Sequence, residues 1–572
     1  MFFKPDLILL HAPSVYDFRK RPILFGPISD LVPSTPIFEM YPVGFSSIAE
    51  YLEQNGISVR IVNLASRMLK DSKFEAEKLI AGLRPQAFGI DLHWLPHAHG
   101  SLEVAALCKK HHPRIPVIFG GYSATYFHEE LIRYPQVDFV IRGDSAEEPL
   151  RRLFTTLQRK GNLTEVPNLT WKNEKQETVI NPFQHLVSDL NAYSNNYRNL
   201  IRSAIRYFDW KSMTPIHDWW EYPITAIMTC RGCTHHCVIC GGSRFALGEF
   251  CGRQDCAYRS PEKVAADILA VAKVTHGPIF VVGDLRQAGE DYARRVLSRL
   301  GRVRPKNQVV LELFTGASGE FFREVGQALP NFNFEISPES HDEGVRRASG
   351  KSYTNEEMEN SIRFALDQGC SKFDVFFMIG LPRQTAESVR ETVDYCAYLM
   401  RTFGPRLNPF ISPLAPFLDP GSIAFERAEE IGYRVFYKTL EDYRQALLAP
   451  SWKYTLSYET KWMSREQIVE SSYQAGLRLN RLKEEHGLID SATAAKTEKR
   501  IRLAMAMIAK IDGIHPLPEP ERSKRLMSLK EIFDQASMST VCDKEEIKWP
   551  MLRGGLNFPG ILRLLFQRHP AG

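Results

Sequence analysis

The chain has 572 residues, 44% hydrophobic and 24% charged, with 36 glycines and 35 prolines scattered along it, which is the balance of folded globular protein and excludes a collagen-like or low-complexity polymer. At ~100 to 200 residues per domain, three or four domains are expected. A net charge of +5 from 72 basic and 67 acidic residues, with no Lys/Arg block, leaves no nucleic-acid footprint and no expected nucleic-acid partner. The longest early apolar run, Leu7 to Leu10, is far short of a signal-peptide core or of the ~18 apolar residues of a membrane span. No transmembrane span is expected, and the expected compartment is the cytoplasm.

Residues 1–165 alternate short β-branched runs with amphipathic stretches, the pattern of a doubly wound, Rossmann-like parallel sheet with crossover helices. Strands are expected at Leu7 to His11, Val59 to Leu64, Ala87 to Leu92, Pro116 to Phe119 and Phe139 to Arg142. Helices are expected near Gly44 to Gln54, Lys73 to Leu83, Ser101 to His112, Ala124 to Arg133 and Ala146 to Gln158. In such a sheet the ligand lies beyond the carboxyl ends of the strands, so the loops after them are the informative ones. Three stand out: the Pro/Gly-rich stretch from Ala12 to Pro42, the segment Asp91 to Gly100 with three histidines and Trp94, and Gly120-Gly121 leading through Ser123 into a helix.

Residues 166–221 read as a hairpin and a bridging segment. Trp210, Trp219 and Trp220 in it suit either a flat or lipidic substrate or ordinary core packing. From 222 to 418 the βα rhythm resumes, with strands expected at Ile224 to Met228, Ile279 to Val282, Val309 to Phe314, Asn333 to Ile336, Phe373 to Met378 and Phe410 to Leu414. Six such units make a partial (β/α)6 barrel of the TIM type. Residues 419–572 read as a mainly helical C-terminal region, with a helix from Arg465 to His486.

Ten cysteines are too few for a disulfide scaffold, yet six fall between Cys230 and Cys256. At the end of the first barrel strand, Cys233, Cys237 and Cys240 are separated by three and then two residues. Thiolates suit an iron–sulfur cluster, and three of them on a four-iron cluster leave one iron open to chelate S-adenosylmethionine. A tetrahedral zinc site that adds Cys230 is the competing reading, and a strand's carboxyl end favours the catalytic cluster. Cys251 and Cys256 are too few for a second cluster and, like Cys230, are expected to be bystanders.

With these motifs in order, the chain resembles a radical S-adenosylmethionine enzyme with an N-terminal cobalamin-binding domain, from about residue 5 to residue 420. The resemblance implies a [4Fe–4S] cluster on Cys233, Cys237 and Cys240, with S-adenosylmethionine and cobalamin as cofactors. It also implies contacts to S-adenosylmethionine from Gly283 and Asp284 after the second barrel strand, from Ser337 and Glu339 at the fourth, from the segment Lys351 to Thr354, and from Gly380 in Gly380-Leu381-Pro382. Ile239 departs from the aromatic residue the family often has before its third cysteine. For cobalamin, the resemblance implies a cradle at Gly120, Gly121 and Ser123; His93 and Trp94 suit either the lining of the cavity under the corrin or a packed core His and Trp. Cobalamin-binding domains of one class ligate cobalt with the His of an Asp-x-His-x-x-Gly motif after the first strand; Asp91-Leu92-His93 is not assigned that role, because it follows the third strand and has Pro96 where the motif needs glycine. An external one-electron reductant of the flavodoxin or ferredoxin type is implied as a partner, and a small-molecule or lipid substrate. The expected activity is methylation of an unactivated carbon. The alternatives are a radical cyclase or carbon–carbon bond-forming enzyme that transfers no methyl, and a non-catalytic cobalamin-binding sensor.

Overall fold

The computed structural model describes residues 4–27, 33–193, 197–414, 416–536, 541–551 and 555–566. Five parallel strands, β1 (Leu7–His11), β2 (Val59–Asn63), β3 (Ala87–Asp91), β4 (Val117–Gly120) and β5 (Phe139–Ile141), form the first sheet. All five residues of β1 and of β3 are buried, as apolar runs covered on both faces must be. An antiparallel hairpin, β6 (Leu169–Lys172) and β7 (Thr178–Ile180), continues the sheet past β5, so the expected hairpin is an edge of the first domain rather than a free linker. The order is β2-β1-β3-β4-β5-β6-β7. Winding therefore reverses between β1 and β3, and their carboxyl ends open the crevice where ligands of this fold bind. Of the long loop after β1, residues 28–32 lie outside the described residues.

Two helices differ from expectation. The stretch from Ala124 to Arg133 is two short helices, Tyr122–Tyr126 and His128–Leu131, broken at Phe127. The helix expected from Lys73 begins only at Ala76, because Glu75 is still extended.

The second sheet has six parallel strands, Thr225–Met228, Ile279–Val282, Val309–Leu313, Phe332–Glu339, Phe373–Ile379 and Leu407–Pro413, side by side in chain order. Alternation along each strand divides their residues between two environments. Val309, Leu311 and Leu313 join the large core under the outer helices, whereas Val310 packs inside the open barrel with Ile224, Phe280 and Trp549. Trp549 plugs the bottom: its backbone N–H donates to Tyr222 Oη and its indole to Asp374 Oδ2, both at 2.8 Å. The C-terminal region is helical, as expected, with long helices Arg465–Glu485 and Ser491–Ile514, the first packed on the last barrel strand. Among the described residues, no helix is long and apolar enough to cross a membrane.

The bridge tryptophans belong to this lower end. Trp219 is buried, donates its indole N–H to Ile224 O at 2.7 Å, and packs with Tyr222 and Phe280. Trp210 lies against Trp220, ring centroids 6.2 Å apart and planes tilted by 58°. Ile224 precedes the first strand, at the end opposite the cysteines, so core packing accounts for Trp219 and Trp220.

Candidate functional site

The first barrel strand runs straight into the cysteine loop. Two short strands, Cys230–Arg231 and Ala257–Tyr258, pair antiparallel and return the chain beside it. The loop is clamped from several sides. Val238 N–H donates to Ser349 O at 3.0 Å, Ala424 N–H donates to Val238 O at 2.9 Å, and Gly241 N–H donates to Asp419 Oδ2 at 3.0 Å. Gly350, at φ +91°, must be glycine, since a Cβ there would lie 2.6 Å from His236 O.

Cys233 and Cys237 are half-buried and Cys240 is exposed, and all ten cysteines are free thiols. Two of the sulfurs already face donors: His235 N–H reaches Cys233 Sγ at 3.4 Å and Gly242 N–H reaches Cys240 Sγ at 3.3 Å. Burial pushes the Cys233 thiol up to about 11, so metal binding there must release a proton. Four thiolates on a zinc ion at about 2.3 Å would stand under ~4 Å from one another. Among the described residues the only cluster of three or more metal-ligating atoms within 4.8 Å is His11, Asp91 and His97. The cysteine sulfurs are thus not gathered as closely as four thiolates on one zinc ion would be. Ile239, between the ligand candidates, is buried in the barrel core. Cys256 lies across the ribbon from Gly232, where a Cβ would meet its Sγ at 3.2 Å, and Cys251 is buried at a helix end.

Facing the loop, the fourth barrel strand bulges between Ile336 and Glu339. Glu339 is buried at φ +66°. Its Oε1 pairs with Lys351 Nζ at 2.7 Å, while its Oε2 is buried with no hydrogen-bond partner among the described residues. Burial opposes the Lys351 charge, yet Glu339 beside it holds the ammonium above the ordinary lysine range. Lys351 also donates to Ser337 O. An orphaned carboxylate oxygen in a buried site fits the ammonium of an amino-acid cofactor.

Gly283, at φ +91°, ends the second strand, and a Cβ there would meet Thr229 Oγ1 at 2.9 Å. Its N–H donates to Glu312 Oε2 at 2.8 Å. Asp284 is placed differently from a cofactor contact, because its carboxylate is occupied by the Arg286 guanidinium and by Phe314 N–H at 3.0 Å. Gly380, at φ +97°, donates to Gln384 Oε1 at 2.9 Å and accepts from Tyr433 Oη at 2.8 Å, and a Cβ there would sit 2.7 Å from Tyr458 Oη.

Glu312 was not legible as a site residue. It is in register with Glu335, and Glu335 with Asp374, so three adjacent strands aim a row of carboxyls into the barrel. Burial pushes Glu312 up to about 7, and burial together with Glu312 and Asp374 raises Glu335 well above the usual carboxylate range. A Glu between leucines in Leu311-Glu312-Leu313 reads in sequence as ordinary strand alternation.

An apolar cavity joins the two sheets, with about 1520 Å³ of space counting its open mouth. Its walls include Asp91, His93, Gly120 and Gly121 from the first domain, Met228 and Val282 from the first two barrel strands, and Cys230 from the short ribbon after the first. Ser123 is buried in the adjacent helix and is not on that wall. Gly121, at φ +117°, presses on the His93 loop: a Cβ would lie 2.5 Å from His93 Cα. Two buried ion pairs lock the domains around the cavity. Arg231 Nη1 reaches Glu147 Oε2 at 2.9 Å, and Arg253 Nη2 reaches Asp144 Oδ1 at 3.0 Å.

At the crevice, Asp91 is shared. Its Oδ1 meets His11 Nδ1 at 3.0 Å and its Oδ2 meets His93 Nδ1 at 2.7 Å. Burial opposes its ionisation, yet His11 and His93 hold the carboxyl far below the usual range. His97 is buried and kept neutral by that burial, with Nδ1 on Ala12 O at 3.1 Å.

Comparison with known proteins agrees with this arrangement. The B12 binding domain family matches residues 32–153, and the radical SAM superfamily matches residues 227–396. An anaerobic magnesium-protoporphyrin IX monomethyl ester cyclase of Synechocystis sp. is 26% identical over 246 residues, 42% of this chain and 44% of its own. A hopanoid C-3 methylase of Methylococcus capsulatus is 24% identical over 291 residues, 50% of each. The chain spans about half the length of the curated relatives it matches. Among solved structures, the radical S-adenosylmethionine methyltransferase TsrM of Kitasatospora setae, with cobalamin and a [4Fe–4S] cluster bound, shares the fold at TM-score 0.58 and 14% identity, over 93% of this chain and 99% of that one. The cobalamin-dependent S-adenosylmethionine radical enzyme OxsB matches at TM-score 0.50 and 14% identity, over 94% of this chain and 72% of that one. The chain belongs to the radical S-adenosylmethionine enzymes that carry an N-terminal B12 binding domain, and its cofactors are a [4Fe–4S] cluster, S-adenosylmethionine and cobalamin.

Proposed function

We propose that the protein methylates an unactivated carbon of a small-molecule or lipid substrate. The observation that carries this reading is the cavity shared by the two domains, which runs from the β1–β3 crevice to the carboxyl ends of the first two barrel strands, beside the cysteine loop. When bound, the cluster supplies the electron that cleaves S-adenosylmethionine and cobalamin supplies the methyl group.

The residues of the chain do the positioning. Cys233, Cys237 and Cys240 are the cluster ligands, and the N–H groups of His235 and Gly242 favour the thiolate form of two of them. Glu339 offers its free oxygen to the ammonium of S-adenosylmethionine while Lys351 holds the other, and Gly283 and Gly380 keep side chains out of its path. Trp549 and Tyr222 close the barrel floor against water.

Each methyl transferred then consumes two molecules of S-adenosylmethionine, one ending as 5′-deoxyadenosine and one as S-adenosylhomocysteine. Extracts compared with and without the protein identify the substrate as the compound that gains one CH2 unit. With it, the two nucleoside products are expected in equal amounts, with the methyl label in product. 5′-Deoxyadenosine without matching S-adenosylhomocysteine or label overturns methyl transfer in favour of a cyclase, and neither product in favour of a sensor.

A further inference from the structure

Arg346, in the short helix Glu343–Ala348, is fully buried. A charged side chain is rarely taken so far from water without a charged partner, yet among the described residues no carboxylate pairs with this one. Its donors go to neutral oxygens instead. Nε donates to Pro338 O at 3.3 Å, Nη1 to Tyr353 O at 2.9 Å, and Nη2 to Ser340 O at 2.8 Å and to Asn355 Oδ1.

These oxygens surround the pair formed by Glu339 and Lys351. Pro338 and Ser340 stand on either side of Glu339, and Ser340 N–H donates back across it to Pro338 O at 2.8 Å. With Glu339 at φ +66°, this is a three-residue turn of the rare, strained kind, which persists only where its surroundings hold it. Arg346 supplies the hold, because one planar fork grips both the carbonyl before the glutamate and the carbonyl after it. The same residue reaches the other partner. Its backbone oxygen accepts from Lys351 N–H at 3.1 Å, and its bond to Tyr353 O fixes the segment just beyond. Asn355, anchored by its own Nδ2 on His341 O at 2.9 Å, locks the far side of the fork. Lys351 Nζ then meets Glu339 Oε1 at 2.7 Å, and Oε2 is left buried with no hydrogen-bond partner among the described residues.

We propose that Arg346 is a positioning residue for S-adenosylmethionine binding: it holds the strained turn that aims the free oxygen of Glu339, and it sets the spacing of Glu339 from Lys351. This rests on the reading of Glu339 as the partner of the cofactor's ammonium.

The test uses the full-length protein, reconstituted anaerobically with its cluster and loaded with cobalamin. Equilibrium dialysis gives the affinity for S-adenosylmethionine, and iron content and cobalamin retention are measured beside it. Arg346→Lys keeps the charge, but a single ammonium lacks the fork that bridges both carbonyls. It is expected to bind S-adenosylmethionine about tenfold more weakly, with iron and cobalamin as in wild type. Because the effect passes through the Glu339 carboxylate, Arg346→Lys is expected to add little in a Glu339→Gln background. Wild-type affinity in Arg346→Lys overturns the proposal. An equal loss in both backgrounds, or a loss of iron or cobalamin, also overturns it, since either gives Arg346 a general structural role. Wild-type affinity in Glu339→Gln alone overturns the reading of Glu339 and the proposal with it, whereas a weakened Glu339→Gln beside an unaffected Arg346→Lys removes the proposal alone. If Arg346→Lys does not fold, Asn355→Ala takes its place, withdrawing one acceptor from the fork while Arg346 stays. A smaller loss of affinity with the same dependence on Glu339 is then expected, and wild-type affinity again overturns the proposal.

Discussion

The indole N–H of Trp94, in the loop after β3, donates to Asp419 Oδ1 at 2.8 Å, and the other oxygen of Asp419 accepts from Gly241 N–H at 3.0 Å, one residue past Cys240. One carboxylate thus ties the loop after β3 to the cysteine loop. Gly241 has no room for a side chain there, since a Cβ would lie 2.8 Å from Asp419 Cβ. Burial raises the Asp419 carboxyl, and the two donors oppose that rise.

Replacing Asp419 therefore disturbs both halves of the site. Asp419→Ala leaves two donors without partners and is expected to cost about 3 kcal/mol, with a loss of iron bound per chain on anaerobic reconstitution. Asp419→Asn keeps one acceptor oxygen and presents an NH2 to the other donor, so it is expected to fall between. Iron content equal to wild type in Asp419→Ala would show that the loop holds its shape without this bridge.

The cysteines separate by position. Cys233→Ala, Cys237→Ala and Cys240→Ala are each expected to abolish the cluster absorbance of the reconstituted protein. Cys230→Ala, Cys251→Ala and Cys256→Ala are expected to keep it. Cys256 is the most stringent control, because it sits against Gly232 in the same ribbon. Zinc retained by wild type and lost in Cys230→Ala would restore the zinc reading.

Much of the framework was legible because buried parallel strands are short, apolar and bounded by glycine or proline, as in Leu7–His11 and Ile279–Val282. The cysteine spacing, Glu339 and Gly380 stood out as local motifs, each within a few residues of chain. What sequence could not carry were relations between distant segments. The pairing of Asp91 with His11, the bridge from Trp94 to Asp419, and the register that lines up Glu312, Glu335 and Asp374 all depend on which strands become neighbours. Gly121 was read as part of a cobalamin cradle, and its first demand is steric contact with the His93 backbone. Asp284 looked like a cofactor contact because it follows Gly283, but Arg286, two residues on, occupies it.

Gly121→Val tests that contact. Its Cβ would fall 2.5 Å from His93 Cα at a φ that valine rarely adopts, so the His93 loop must move. Cobalamin retention on gel filtration is expected to be lost while the iron content stays near wild type. Full retention would show that the loop shifts at no cost to the cofactor.

Glu339 and Lys351 act as a pair, and their variants are expected to differ. Glu339→Gln removes the charge offered to S-adenosylmethionine and is expected to lower 5′-deoxyadenosine formation at least tenfold, with cluster and cobalamin retained. Lys351→Met leaves Glu339 buried without its cation and is expected to destabilise the fold by about 3 kcal/mol. Unchanged binding of S-adenosylmethionine by Glu339→Gln in equilibrium dialysis would remove Glu339 from the site.

Glu312 supplies a pH dependence whose sign is fixed by its burial. Its folded-state value is about 7, raised by desolvation and opposed by the N–H of Gly283, whereas an unfolded glutamate titrates near ~4.3. Between these values the folded protein holds a proton that the unfolded chain has released, so stability is fully present below ~4.3 and falls as pH rises through 7. Glu335 and Asp374 are shifted upward too, so the slope for wild type is a sum over the row. Glu312→Gln isolates one member: the amide oxygen can still accept from Gly283 N–H, and nothing there ionises. The variant is expected to melt close to wild type at pH 5 and measurably above it at pH 8, by an amount equivalent to roughly 2 kcal/mol. Thermal scans of the two proteins at pH 5, 6.5 and 8 check this. Parallel curves would mean that Glu312 is already ionised in the folded protein across this range, and that the Gly283 turn is held by a charged acceptor.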